Sequence, residues 1–122
     1  MRILFVENHI VFAETVIGRF LGQHAVVLVS SVAEAHRAAG SRQFDVILVD
    51  YDLDDAKGDG FVRELRGNGC VTPIVAVSAR DDGNEALLRA GANAACSKSQ
   101  FSSIGSVLAR IGRSFDAGGR DS

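Results

Sequence analysis

Five short apolar runs alternate with segments of helical periodicity, and this alternation limits the possible folds of the chain more than any other feature. The runs lie at residues 2–6, 25–29, 45–49, 73–77 and 94–97. Apolar strands that alternate with helices are typical of a parallel sheet covered by helices on both faces. Right-handed crossovers between such strands predict a three-layer, doubly wound α/β fold.

Helices are predicted after each of the five strands, because apolar residues recur there at spacings of three and four. Ser31 with Glu34 three residues later has the spacing of a capping box, which starts a helix over 32–39. Gly91 is expected to end the fourth helix. The other predicted helices cover about 11–21, 60–66 and 103–115, and the fourth helix starts at Asp81 or Asp82 and runs to Ala90.

Length and composition predict one globular domain over residues 1–115 and a flexible tail over 116–122, where the residues are small and polar. The net charge is −2 and the arginines are dispersed, which argues against direct binding to nucleic acid. The apolar runs are far shorter than the ~20 residues of a membrane span, and no secretory signal is recognisable at the N-terminus. A cytoplasmic protein without membrane contact is therefore expected.

Polar side chains follow four of the five predicted strands, at the point where each strand ends. Glu7 and Asn8 follow the first strand, Asp50 the third, Ser78 the fourth and Lys98 the fifth. Ligands of doubly wound folds bind at the carboxyl ends of the strands. If these four strands are neighbours, one crevice holds two carboxylates, an amide, a hydroxyl and an ammonium group.

This set of groups suits phosphoryl chemistry. Two close carboxylates repel each other unless a cation joins them, and Mg²⁺ prefers such oxygen ligands. A hydroxyl and a lysine can bind phosphate oxygens. A carboxylate can act as a nucleophile and form an aspartyl phosphate, a reaction that depends mainly on positioning and electrostatics.

The chain resembles the receiver domain of two-component response regulators over residues 1–115. The resemblance rests on residues 3–8, 44–50, 72–79 and 90–92 and on Lys98, which match the family in order and spacing. It implies a flavodoxin-like (βα)5 fold with strand order 2-1-3-4-5. It also implies a signalling module that is no conventional enzyme, because it catalyses only its own phosphorylation and dephosphorylation.

By this resemblance, Asp50 is the phosphoacceptor and takes the phosphoryl group from the phosphohistidine of a histidine kinase or phosphotransfer protein. Ser78 and Lys98 would bind the transferred group. The resemblance further implies Mg²⁺ as the cofactor, held by Glu7, Asn8, Asp50 and the backbone carbonyl of Asp52. The side chains of Asp52 and Arg80 stand where the family places modulators of dephosphorylation.

The loop after Asp50 can be aligned with the family in two ways. The pair Asp59-Gly60 looks like the family's Asp-Gly but requires a two-residue insertion. Without a gap, Gly58 takes the glycine position and Lys57 lies in a loop without a catalytic role. We prefer the alignment without a gap. The remaining acids of the loop, Asp55 and Asp59, are then expected to be only solvated.

Four positions depart from the family pattern. Asn8 replaces an acid and should weaken Mg²⁺ binding, and Asp54, where the family has proline, is a hypothetical modulator that partly restores the negative field. Ser99 also replaces a proline, so the peptide bond before it is expected to be trans. Ala95 stands where the family has the aromatic residue of its activation switch.

Two other function classes compete with the phosphoacceptor. One is a pseudo-receiver that binds partners without phosphorylation. Asn8 and Ala95 favour it, whereas Asp50, Ser78 and Lys98 together oppose it. The other is a nucleotide- or flavin-binding enzyme, which the missing glycine-rich phosphate loop opposes. In either receiver class, output is expected through an unidentified partner protein, and a homodimer through the face of helix four, strand five and helix five is a further expectation. If the chain is complete, output is expected to need docking to another chain; if it is part of a longer protein, the two glycines of the tail are expected to begin a linker.

Overall fold

A computed structural model describes residues 1–119, and their side chains up to residue 112. Its five strands form one parallel sheet with the order β2-β1-β3-β4-β5. The strands are β1 (Arg2–Val6), β2 (Ala25–Val29), β3 (Val46–Val49), β4 (Ile74–Ala76) and β5 (Ala94–Ala95). The helices are α1 (Ile10–Phe20), α2 (Val32–Ser41), α3 (Gly58–Gly67), α4 (Asp81–Ala90) and α5 (Ile104–Gly119), and a 3₁₀ segment (Lys98–Ser103) precedes α5.

The central strand β1 shows why the sheet is covered on both faces. Ile3 and Phe5 pack into one apolar core with residues of α1 and α5, whereas Leu4 and Val6 pack into a second core with residues of α2, α3 and α4. All four side chains are fully buried. Since successive side chains of a strand point to opposite faces, a continuous apolar run fills both cores. The doubly wound fold that the sequence pattern predicts and the strand order that the family resemblance implies are both confirmed.

The element boundaries differ from the prediction mainly at the C-terminal end. β5 covers only two residues, and the segment after it forms a 3₁₀ turn that brings Phe101 into the first core. Helix α5 continues to Gly119, past the predicted start of the tail at Asp116. Residues 120–122 of that tail lie outside the described residues.

Two predicted helix signals are confirmed. The Ser31 hydroxyl accepts a hydrogen bond from the backbone N–H of Glu34 at 3.1 Å, and α2 begins at Val32. Gly91 ends α4 with φ of 130°, a conformation that glycine adopts without a steric penalty. Within residues 1–119, no helix has the length and apolar character needed to cross a membrane.

Candidate functional site at the carboxyl edge of the sheet

The register of the strands places the predicted polar residues at one edge of the sheet. Val6 of β1 is paired with Val49 of β3, and the Asp50 N–H donates to the Val6 carbonyl at 2.9 Å. The next residues of the two strands, Glu7 and Asp50, are therefore neighbours. On the other side, the Lys98 N–H donates to the Ser78 carbonyl at 3.1 Å.

Lys98 joins the two carboxylates. Its Nζ lies 2.9 Å from Oε2 of Glu7 and 3.1 Å from Oδ2 of Asp50. Glu7 is fully buried, Asp50 is 5% exposed, and the Lys98 side chain is 16% exposed. The ammonium group thus pairs with two buried carboxylates, and one net negative charge remains when both are ionised. The structure brings Glu7, Asp50 and Lys98 of the predicted crevice together.

Burial sets the electrostatics of this cluster. Loss of solvent around Glu7, reinforced by the nearby Asp50 carboxylate, raises the pKa of Glu7 to about 7, although the bond from Lys98 opposes the rise. Burial alone would lower the pKa of Lys98, but its bonds to Glu7 and Asp50 outweigh that effect and raise it. The lysine therefore stays charged at neutral pH, while Glu7 can exchange a proton there.

The same cluster fits a bound Mg²⁺. Within the described residues, the buried Oε1 of Glu7 has no hydrogen-bond partner, which is costly unless a cation or water binds it. The described side chains offer no group of three or more acidic, histidine or cysteine ligands around it. An ion held here would therefore depend on Glu7 and Asp50, the amide of Asn8 and a backbone carbonyl such as that of Asp52.

Ser78 is fixed by α4, which sequence reasoning did not foresee. The side-chain oxygen of Asn84 accepts from the Ser78 N–H at 2.9 Å, and its amide donates to the Ser78 carbonyl at 3.3 Å. Both residues are buried. A Cβ atom at Gly83 would lie 2.6 Å from the Ser78 hydroxyl oxygen, so glycine leaves the space that the hydroxyl occupies. The hydroxyl accepts from the Arg80 N–H at 3.2 Å.

Gly58 lies against the backbone of Asp50. A Cβ atom at position 58 would overlap the Asp50 carbonyl oxygen. The Gly58 N–H also donates to the Tyr51 carbonyl at 2.6 Å. Gly60, the alternative, has no described atom within 4 Å of its Cβ position.

Two cations share the carboxylate of Asp52 above the loop that follows Asp50. Lys57 forms an ion pair with its Oδ1, and Nη2 of Arg80 lies 3.6 Å from its Oδ2. Both cations also lie near the ring of Tyr51, at 5.3 and 5.8 Å from its centroid. The hydrogen bond from Lys57 and the positive charges of Lys57 and Arg80 lower the pKa of Asp52. The two predicted modulators, Asp52 and Arg80, are thus in contact, and Lys57 joins them.

The expectation that Asp55 is only solvated is wrong. Its two carboxylate oxygens accept from the backbone N–H groups of Val32 and Ala33, at 2.7 and 3.1 Å. These bonds lower the pKa of Asp55. The N-terminus of α2 offers N–H groups without helical partners, so a carboxylate from another loop can cap it. The same expectation for Asp59 is also wrong, because its side chain is only 18% exposed and pairs with Arg63 at 3.0 Å, whereas Asp54 is exposed.

The other departures from the family pattern also have defined places. Ala95 is exposed at the end of β5, and Asn8 is exposed beside Glu7. The Lys98–Ser99 peptide bond is trans, as the replacement of proline by serine predicted.

Comparisons with known proteins agree with this geometry. The family described as "Response regulator receiver domain" matches residues 3–106. The receiver domain of the sensor histidine kinase PA1611 from Pseudomonas aeruginosa PAO1, solved with a magnesium ion in its active site cleft, is 34% identical, with a TM-score of 0.79 over 91% of this chain and 97% of that one.

Two more distant structures have the same fold. A two-component response regulator from Clostridium difficile is 20% identical, with a TM-score of 0.82 over 93% of this chain and 96% of that one. A CheY-like receiver domain from Methylobacillus flagellatus is 23% identical, with a TM-score of 0.78 over 91% and 98%. Among curated proteins, no sequence matches the chain.

Proposed function

The chain belongs to the response regulator receiver domain family, and we propose on this basis that Asp50 accepts a phosphoryl group from a phosphohistidine. The observation that carries the proposal is the position of Lys98, 3.1 Å from Oδ2 of Asp50 and 2.9 Å from Oε2 of Glu7. A charged lysine between two buried carboxylates can stabilise the negative charge that a phosphoryl group brings.

The proposed reaction is a direct transfer. A carboxylate oxygen of Asp50 forms a bond to phosphorus while the bond from phosphorus to the histidine nitrogen breaks, and the nitrogen keeps the electron pair. Lys98 binds a phosphoryl oxygen, and Ser78, which Asn84 holds by its peptide groups, donates its hydroxyl hydrogen to another. Mg²⁺, bound through Glu7, Asn8, Asp50 and the Asp52 carbonyl, would neutralise further charge.

Several finer assignments belong to the same proposal. The side chains of Asp52 and Arg80 control how fast the phosphoryl group is hydrolysed, and Asp54 adds negative field at the metal site. If Asp54→Ala binds Mg²⁺ as well as the parent protein, the role of Asp54 is wrong. We propose that its partners are a histidine kinase or phosphotransfer protein and an output protein. We also propose that the protein dimerises through the face of α4, β5 and α5. The cytoplasmic location predicted from the sequence is also part of this proposal.

Phosphorylation can be tested directly with a small-molecule donor. The protein is incubated with acetyl phosphate and Mg²⁺, and its intact mass is recorded together with that of Asp50→Asn and of the control Asp59→Asn. We expect a phosphoryl adduct on the parent and the control and none on Asp50→Asn. Beryllofluoride with Mg²⁺ should shift the backbone amide signals near Asp50 and Ser78 in the parent. It should not shift them in Asp50→Asn.

The competing function is that of a pseudo-receiver, which binds its partner without phosphorylation. Two observations favour it: Asn8 supplies no charge to the metal site, and Ala95 replaces the aromatic residue of the usual switch. The same experiment decides between the two functions. A parent protein that acquires no adduct and shows no response to beryllofluoride would leave the pseudo-receiver as the better assignment.

A further inference from the structure

A third group contacts the ammonium of Lys98 besides the two carboxylates. Phe12 on α1 places its ring under Lys98, with the ring centroid 4.9 Å from Nζ. The face of an aromatic ring is electron-rich and attracts a cation, most strongly where water is scarce. The Lys98 side chain is 16% exposed, so the ring replaces part of the solvent that the ammonium group has lost.

The ring of Phe12 is itself held in place. It meets Phe101 edge to face, with centroids 5.8 Å apart and planes at 85°. Phe101 is 3% exposed and stacks at 6.0 Å on Phe5 of β1. Phe12 therefore connects the start of α1 to the 3₁₀ segment that carries both Lys98 and Phe101.

The backbone at Lys98 does little to fix the side chain. Ser99 follows it, and serine does not restrict the backbone as a proline ring does. A lysine side chain has four rotatable bonds, and holding its end in one place costs conformational entropy. Contacts with the side chain itself must then position the ammonium group. Glu7 and Asp50 are its charged partners, and the ring of Phe12 is its apolar partner.

We propose that Phe12 is a positioning residue for phosphoryl transfer: its ring face holds the Lys98 ammonium at Asp50 before the phosphoryl group arrives. The proposal rests on the proposed function, in which Lys98 binds a phosphoryl oxygen. It adds an apolar residue of α1, whose side chain cannot form a hydrogen bond to Asp50 or bind the metal. The electron density of the ring is the property that matters, more than its volume.

Two kinds of substitution separate the ring face from simple packing. Phe12→Leu removes the ring but stays apolar, whereas pentafluorophenylalanine at position 12 keeps the shape and removes the negative potential of the face. Phe20→Leu is the matched control. Phe20 also lies on α1, its ring centroid is 6.1 Å from that of Phe101, and its side chain is half-buried like that of Phe12.

The first measurement is the rate of phosphorylation by acetyl phosphate at saturating Mg²⁺. We expect Phe12→Leu and the fluorinated protein to react roughly three- to tenfold more slowly than the parent, the size of a partly desolvated cation–π contact. Phe20→Leu should react at nearly the parental rate although it loses similar stability. If the fluorinated protein reacts as fast as the parent, Phe12 only fills space and the proposal is wrong.

The second measurement does not require phosphorylation. The NMR order parameter of the Lys98 Nζ nitrogen, in metal-free protein, reports how firmly the ammonium group is held. It should fall in the fluorinated protein and stay at the parental value in Phe20→Leu. If the parent takes up no phosphoryl group, the proposed function is wrong, but this order parameter still tests whether Phe12 holds the ammonium group. An unchanged order parameter in the fluorinated protein would overturn the proposal for Phe12.

Discussion

Gly58 lies so close to the backbone of Asp50 that a Cβ atom at position 58 would overlap the Asp50 carbonyl oxygen. The loop after the proposed phosphoacceptor thus turns back onto the residue that it follows, and only glycine permits the approach. We expect Gly58→Ala to lower the free energy of unfolding by about 1–3 kcal/mol, as overpacking does, and to displace Asp50. Chemical denaturation measures the first effect, and the rate of phosphorylation the second.

Gly60→Ala is the control for this substitution. Gly60 lies on the same helix, and a Cβ atom there meets no described atom within 4 Å. Since alanine favours a helix over glycine by roughly 0.5–1 kcal/mol, Gly60→Ala should be neutral or stabilising. Equal losses in the two variants would show that the contact with Asp50 is unimportant.

Asp55 connects the loop after β3 to the start of α2, and its removal should destabilise that helix. In Asp55→Ala the N–H groups of Val32 and Ala33 lose their acceptors, so we expect a melting temperature several degrees below that of the parent. The neighbouring Asp54→Ala removes the same charge from an exposed position and should melt within about a degree of the parent. Faster amide exchange at residues 32–34 in Asp55→Ala alone would locate the effect.

The polar residues of the site could be found from the sequence because each apolar run has a definite end. Glu7, Asp50, Ser78 and Lys98 each come shortly after such a run, and parallel strands bring their carboxyl ends together. The order of the strands could not be found in this way, because apolar periodicity does not say which strands are neighbours. The family resemblance implied it.

The supporting contacts could not be predicted, and two of them join parts of the chain that are distant in sequence. Asp55 and Val32 are 23 residues apart, and no local pattern marks a carboxylate that caps another loop's helix. The clamp of Asn84 on Ser78 spans only six residues, but it depends on how the loop between β4 and α4 turns, which side-chain periodicity does not show. Phe12 is one of several apolar residues at helical spacing in α1, and its contact with Lys98 follows only from the packing of α1 against the 3₁₀ segment.

The buried Glu7 should make the stability of the metal-free protein depend on pH. Its pKa rises on folding from 4.5 to about 7, so between these values the folded state binds more protons than the unfolded state. Stability therefore falls as the pH rises through this window, by up to about 3 kcal/mol at about 1.4 kcal/mol per pH unit. Glu7→Gln has no such proton to lose, so its stability should be flatter.

The measurement is urea unfolding at several pH values from 4.5 to 7.5 in the presence of EDTA. His24 acts in the opposite direction, since burial and the N-terminal charge lower its pKa, but it is the same in parent and variant. Glu14→Gln, at an exposed position of α1, is the control and should keep the parental slope. A Glu7→Gln protein with the parental slope would contradict the assignment.

Asn8 gives the proposed metal site one negative charge fewer than the family pattern has, so Asn8→Asp should bind Mg²⁺ more tightly. Asn8 is exposed directly beside the buried Glu7, whose Oε1 has no hydrogen-bond partner among the described residues. A carboxylate there attracts the ion more strongly than an amide, and we expect the Kd to fall roughly tenfold at low ionic strength. Asn68→Asp adds the same charge at the opposite end of α3 and should leave the Kd unchanged.

Isothermal titration calorimetry with MgCl₂ measures these affinities, and a companion measurement separates charge from structure. Without metal, the added carboxylate repels Glu7 and Asp50, so Asn8→Asp should be less stable than the parent in EDTA and regain the difference in saturating Mg²⁺. An unchanged Kd together with unchanged metal-free stability would mean that position 8 does not face the ion, and that Mg²⁺ is held by Glu7, Asp50 and backbone oxygens alone.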